Sequence, residues 1–158
     1  YGGGTKGIMG AVASGVLSNG GQVTGIIPEF LVDMEATRHS LGQLSELIIT
    51  KDMHERKRTM YEMGVAGIVL PGGFGTLDEF FEALTLIQTN KIGRFPIVLV
   101  GRDYWTGLVD WIKSTLLRGD PNYISESDLD LFCIVDDATE ALKVIDEFYS
   151  KYLLSPNF

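Results

Sequence analysis

The sequence predicts an α/β fold: a parallel β-sheet with helices on both faces. Three observations carry the prediction. Short runs rich in Val, Ile and Leu, four to six residues long, alternate with amphipathic stretches of ten to sixteen. The runs are apolar enough to lie under helices on either side. Glycine supplies 19 of 158 residues, roughly 12% against an average of about 7%, and clusters where such runs give way to helices.

Taken in order, residues 8–19 read as a helix with Ile8, Val12 and Val16 on one stripe, ended by Gly20-Gly21. Residues 23–27 read as a strand stopped at Pro28. Residues 29–43 are polar and irregular, a loop with room for a short helix. A strand at 47–50 precedes a helix over 53–64, whose apolar side is Met53, Met60 and Met63. The apolar run 66–70 is the next strand; a Gly-rich turn and a helix over 77–88 follow it. Strands at 97–100 and 132–135 alternate with helices at 104–117 and 138–153. Five strands in this order are Rossmann-like. Tyr1 stands where a strand should end, and no initiator Met precedes it. The expectation is a single nucleotide-binding domain over 1–158, truncated at its N-terminus and lacking its first strand.

Charge narrows the function. Thirteen basic against 21 acidic residues give a net charge of −8, which disfavours binding to bulk nucleic acid, where clustered Lys and Arg neutralise phosphates. With 45% hydrophobic and 22% charged residues the chain is globular rather than disordered. The longest apolar runs are strand-sized, far short of the ~20 residues of a membrane span. A lone cysteine, Cys133, excludes an internal disulfide and suits a reducing compartment such as the cytoplasm. His39 and His54 stand alone, with no Cys pair near either, so a His/Cys zinc site is not expected.

Two Gly-rich loops fall at the carboxyl ends of strands, where α/β sheets bind ligands. Gly2-Gly3-Gly4-Thr5-Lys6-Gly7 satisfies G-x-G-x-x-G and opens a helix; glycine lets backbone N–H groups approach a phosphate, or simply makes a tight turn. The stronger loop is Pro71-Gly72-Gly73-Phe74-Gly75-Thr76, followed by Leu77-Asp78-Glu79. Helix-start N–H groups and the Thr76 hydroxyl make an anion site, and no Gly-Lys-Ser/Thr follows, so it is not a P-loop. Glu79 has two readings. It completes a Thr76-x-x-Glu79 capping box, or it stands at the mouth of a phosphate pocket as an electrostatic stabiliser or proton donor. Arg56-Lys57-Arg58 is the densest cationic run; it is either a solvated helix face or, at a strand's carboxyl end, a phosphate clamp.

These residues carry a resemblance. Met53-His54-x-Arg56-Lys57, the fifteen-residue step from Arg56 to Pro71, and Pro71-Gly72-Gly73-x-Gly75-Thr76-x-x-Glu79 resemble the Lonely Guy (LOG) family of cytokinin-activating phosphoribohydrolases. The opening Tyr1-Gly2-Gly3-Gly4-x-x-Gly7-Ile8-Met9-Gly10 is similar to that family's first Gly-rich turn. The likeness runs through Thr85 and less distinctively to the C-terminus. It implies hydrolysis of the N-glycosidic bond of a nucleoside 5′-monophosphate, a cytokinin riboside monophosphate or AMP, to free base and ribose 5-phosphate. It implies no cofactor and no metal, and a homodimer, with Phe80, Phe81 and Leu84 as candidate interface or core. By position it implies Arg56 and Glu79 as the catalytic pair. Substrate binding would fall to Gly2, Gly3, Gly4, Lys57, Gly72, Gly73, Gly75 and Thr76, with Glu35 and Thr85 as further contacts. The family's Cys-Gly-Ser-Ser-like loop on its first strand has no counterpart here. Such proteins have often been labelled lysine decarboxylases, although no lysine here stands in a recognisable pyridoxal-phosphate setting.

Two other readings share the loops. One is a non-catalytic nucleotide carrier or sensor. The other is a dinucleotide-dependent oxidoreductase, suggested by Gly2-x-Gly4-x-x-Gly7 with Glu29 about twenty residues on.

Overall fold

The computed structural model describes residues 1–32 and 42–151. Its contacts gather into two compact units, Tyr1–Met63 and Gly64–Phe158. Both are built of parallel strands flanked by helices, the α/β, Rossmann-like class that the alternation predicts.

The first unit runs α1 (Gly7–Ser18), β1 (Thr24–Pro28), a 3₁₀ turn (Glu29–Leu31), β2 (Glu46–Thr50) and α2 (Met53–Met63). Strands β1 and β2 pair in parallel with Ile26 opposite Ile48. Tyr1 joins β1 through the two bonds of a parallel ladder: its amino group donates to the Thr24 carbonyl at 2.9 Å, and its carbonyl accepts the Ile26 N–H at 2.8 Å. Helix α1 closes as the Gly20-Gly21 pair predicts. Gly20, at φ +77°, donates its N–H to Leu17 and Gly21 donates to Val16, the two bonds of a Schellman motif. The Ile8, Val12 and Val16 stripe forms but stays 38–50% exposed; the buried residue of α1 is Ala13. Met63 likewise lies exposed on α2. Val23, Ile26, Ile27 and Pro28 make the buried centre of this unit.

The second unit runs β3 (Gly67–Val69), α3 (Phe74–Gln88), β4 (Ile97–Val100), α4 (Arg102–Thr115), two 3₁₀ turns (Leu116–Arg118 and Glu126–Leu131), β5 (Phe132–Val135) and α5 (Ala138–Lys151). The strands lie parallel in the order β3-β4-β5, with Val98 opposite both Ile68 and Cys133. Central β4 is buried along Ile97, Val98 and Leu99, as expected of a middle strand covered on both faces. Ala141, Val144 and Ile145 of α5 pack against Val98 and Val135. Phe80 sits in an aromatic cluster, 6.1 Å from Trp105 and 5.6 Å edge-on from Phe132. At 2% exposure Phe80 is core, not interface. Among the described residues no helix is long and apolar enough to cross a membrane.

Candidate functional site

The Tyr1–Met63 unit folds its Gly-rich loop against Arg56. Asp52 starts α2 by accepting the Glu55 N–H on Oδ1 at 2.8 Å, and its carbonyl accepts the Arg56 N–H at 3.1 Å. The Glu55 bond, with His54 and Lys51 assisting, holds the Asp52 carboxyl below the ordinary carboxylate range. This cap sets the start of the helix and so the direction of Arg56. The Arg56 side chain is 7% exposed; Nε donates to the Ile26 carbonyl at 3.1 Å and Nη2 to the Gly2 carbonyl at 3.2 Å. Nη1 lies 3.7 Å from Met53 Sδ.

Arg56 thus ties the first loop to β1 by charge-assisted bonds to backbone carbonyls. Gly2, Gly3 and Gly4 are all buried. Gly3 takes φ +76°, and a Cβ there would lie 3.0 Å from Ile27 Cβ, so the turn requires glycine. The cationic run is therefore divided. Arg56 and Lys57 are buried, while His54 and Arg58 are exposed. The solvated-face reading holds for Arg58 and fails for Arg56 and Lys57.

The Gly64–Phe158 unit carries the second loop. Helix α3 begins one turn earlier than the sequence suggests, with Gly73 as its N-cap and Leu77 N–H donating to the Gly73 carbonyl at 3.1 Å. Thr76 and Glu79 are consequently inside the helix, and the Thr76-x-x-Glu79 capping box does not form. The early start leaves the N–H groups of Phe74, Gly75 and Thr76 without an intrahelical carbonyl, at the positive end of a 15-residue helix. Around Gly73 and Gly75 a Cβ would meet nothing within 4 Å, so the helix start is open to an approaching anion. At Gly72, by contrast, a Cβ would fall 2.2 Å from Thr76 Oγ1; glycine is needed for the loop to fold onto that hydroxyl.

Glu79 is half-buried, one turn past the loop on the side of Thr76. Thr85 lies about 14 Å further along the axis than Thr76 and is exposed, its hydroxyl donating to the Phe81 carbonyl at 2.8 Å. Glu35 lies outside the described residues. Cys133 is a poor nucleophile because burial pushes its thiol up, against a smaller opposing effect of Arg102. Among the described residues no three His, Cys, Asp or Glu side chains gather as a metal site would need.

One residue escapes the sequence reading. Tyr104, near the start of α4, donates its hydroxyl to the Gly72 carbonyl. Thirty-two residues separate the partners, and no local pattern announces the pairing.

Known proteins resemble the chain along most of its length. A family model described as "Possible lysine decarboxylase" matches residues 9–145. A cytokinin riboside 5′-monophosphate phosphoribohydrolase of Rhodococcoides fascians is 41% identical over 120 residues, 75% of this chain and 59% of that protein. One of the same name from Mycobacterium tuberculosis is 40% identical over 146 residues, 90% of this chain and 73% of that protein. A third, from Arabidopsis thaliana, is 33% identical over 153 residues, 96% of this chain and 67% of that protein. The chain spans 59–73% of the length of these three relatives.

Proposed function

The chain belongs to the Lonely Guy (LOG) family, whose model carries the description "Possible lysine decarboxylase", and from that premise we propose that it is a nucleotide phosphoribohydrolase. Its substrate in this reading is a nucleoside 5′-monophosphate, AMP or a cytokinin riboside monophosphate. The products are free base and ribose 5-phosphate. In this reading residues 1–158 form one nucleotide-binding domain, working as a homodimer in the cytoplasm.

The observation that carries the reading is the start of α3. Its open N–H groups at Phe74, Gly75 and Thr76 suit a phosphate dianion, and Glu79 stands one turn on, outside any capping box. Cleavage breaks the bond between C1′ and the base nitrogen. Positive charge builds on the ribose and negative charge on the leaving base. The Glu79 carboxylate supports this by stabilising the oxocarbenium-like ribose or orienting the water. The hydroxide part of that water goes to C1′ and its proton to the departing base. Lys57 and the Gly2, Gly3 and Gly4 loop assist binding. Arg56 acts by holding that loop, since its Nε and Nη2 engage the Ile26 and Gly2 carbonyls. Glu35 and Thr85 are further substrate contacts in the same reading.

The test incubates the purified chain with AMP and with isopentenyladenosine 5′-monophosphate and follows base and ribose 5-phosphate by chromatography. Base release lost in Glu79→Gln at unchanged stability supports the proposal. AMP binding without base release would replace it with a carrier or sensor. Carbon dioxide from lysine, with no base from either nucleotide, would restore the decarboxylase description.

A further inference from the structure

We propose that Tyr104 is a positioning residue that selects the orientation of the Gly72–Gly73 peptide and thereby aims the Gly73 N–H at the anion. The second half of this inference rests on the reading that the 71–76 loop takes a nucleotide's phosphate; the first half does not.

A peptide unit is planar and trans, so its C=O and N–H point in opposite directions, and fixing one fixes the other. The Gly72–Gly73 peptide has glycine on both sides, which makes its rotation between two orientations cheap. In one orientation the Gly73 N–H joins those of Phe74, Gly75 and Thr76. In the other the Gly72 carbonyl oxygen takes its place and repels an anion. Helix α3 alone does not choose between them, because Gly72 precedes its N-cap.

The Tyr104 hydroxyl makes that choice by donating to the Gly72 carbonyl. Its own position is fixed from three directions. Gly101, at φ +105°, donates its N–H to the Val135 carbonyl at 2.8 Å and accepts the Tyr104 N–H at 3.1 Å. Arg102 holds the carboxyl end of β5 through Nε to Asp136 Oδ2 at 3.0 Å and its N–H to Oδ1 at 3.3 Å. The Tyr104 ring stands edge-on to Trp105 at 4.8 Å, and Trp105 is fully buried. The start of α4 is therefore a rigid bracket on the sheet, and Tyr104 is its arm onto the loop.

Without the arm, some molecules carry the peptide in the wrong orientation, and apparent affinity falls by the competent fraction. The loss of one neutral hydrogen bond predicts about a 3–10-fold effect.

The unit supplies its own control. Tyr149 of α5 also donates its hydroxyl to a backbone carbonyl, that of Val65, at the opposite end of β3. The experiment compares Tyr104→Phe with Tyr149→Phe. Three quantities are measured: the Kd for inorganic phosphate, the Gly73 amide exchange rate by NMR, and KM and kcat for AMP.

The expectation for Tyr104→Phe is a phosphate Kd and AMP KM raised about 3–10-fold with kcat within twofold, and faster Gly73 exchange. Tyr149→Phe should leave all three as in wild type. Wild-type Gly73 exchange in Tyr104→Phe, or equal changes in both variants, would overturn the proposal. Absence of base release by the wild-type protein would sink the phosphoribohydrolase reading instead. The exchange comparison still reads the tether in that case.

Discussion

Gly2 and Arg56 are fitted to each other: the Gly2 carbonyl accepts Arg56 Nη2 at 3.2 Å, and a Cβ on Gly2 would stand 2.0 Å from that same nitrogen. The glycine is what allows a guanidinium to reach the backbone of the loop. Gly2→Ala should therefore displace Arg56 rather than merely stiffen the turn. The expected loss is about 1–3 kcal/mol of stability, the usual range for overpacking. Urea denaturation checks it, and a wild-type midpoint would contradict the fit.

Arg56 itself carries a structural load that any kinetic experiment must separate from chemistry. Arg56→Ala leaves the Gly2 and Ile26 carbonyls without their donor, at about 1–3 kcal/mol for each that stays unsatisfied. Arg56→Lys keeps the charge but presents a point donor instead of a fork, so it should restore part of this stability. Denaturation midpoints in the order wild type, Lys, Ala are expected. Both variants matching wild type would remove Arg56 from the scaffold.

The second loop allows stability and function to be pulled apart with two alanines. Gly72→Ala meets Thr76 Oγ1 at 2.2 Å and should destabilise the loop. Gly75→Ala meets nothing within 4 Å and lies within α3, where alanine is the better helix former by up to about 0.8 kcal/mol. Its added methyl nonetheless crowds the N–H groups that an anion would use. The expected outcome is a neutral or raised melting temperature with KM for AMP raised about tenfold. A Gly75→Ala protein that binds AMP as wild type does would place the phosphate elsewhere.

Glu79→Gln separates the two readings that the sequence left open. A capping glutamate can be replaced by glutamine at little cost, because the amide still reaches the backbone N–H. A carboxylate facing positive charge in a transition state cannot. Gly73, not Thr76, caps α3, so no capping box is lost, and the expectation is a kcat lower by about 10²–10³-fold. Turnover within a fewfold of wild type would return Glu79 to a structural role.

Much of this was legible in the residues. Strand and helix alternation is a one-dimensional pattern, and among the described residues the five strands and five helices follow it closely. The Gly20-Gly21 stop is local chemistry and reads directly. The start of α3 is not legible in the residues because Thr76-x-x-Glu79 imitates a capping box, whereas the chain enters the helix at Gly73 with no side-chain cap. A local signal does stand at Asp52-x-x-Glu55, where Asp52 caps α2 and so directs Arg56 inward. The fate of Arg56 lay beyond any local pattern, since its partners Ile26 and Gly2 are 30 and 54 residues away. Tyr104 was hidden for the same reason.

Asp128 gives the pH dependence. Burial alone would raise its carboxyl, but bonds from the Ser125 N–H, Gln88 and the Ser125 side chain outweigh that and hold it below the ordinary range. The Ser125 N–H and Gln88 Nε2 each donate to Oδ2 at 2.8 Å, joining the turn before β5 to the end of α3. A depressed folded-state value means that the unfolded chain takes up its proton first as pH falls. The contribution is therefore present above the unfolded value of about 3.9 and disappears as pH drops through the folded value. Because the group is only partly buried and open to solvent screening, it should amount to no more than about 1 kcal/mol. Asp128→Asn should lower the urea midpoint at pH 7 and reduce the further loss between pH 5 and pH 3, ranges set by that unfolded value of about 3.9. An acid-side loss identical to wild type would assign the effect to other carboxylates such as Asp52, whose value is also depressed.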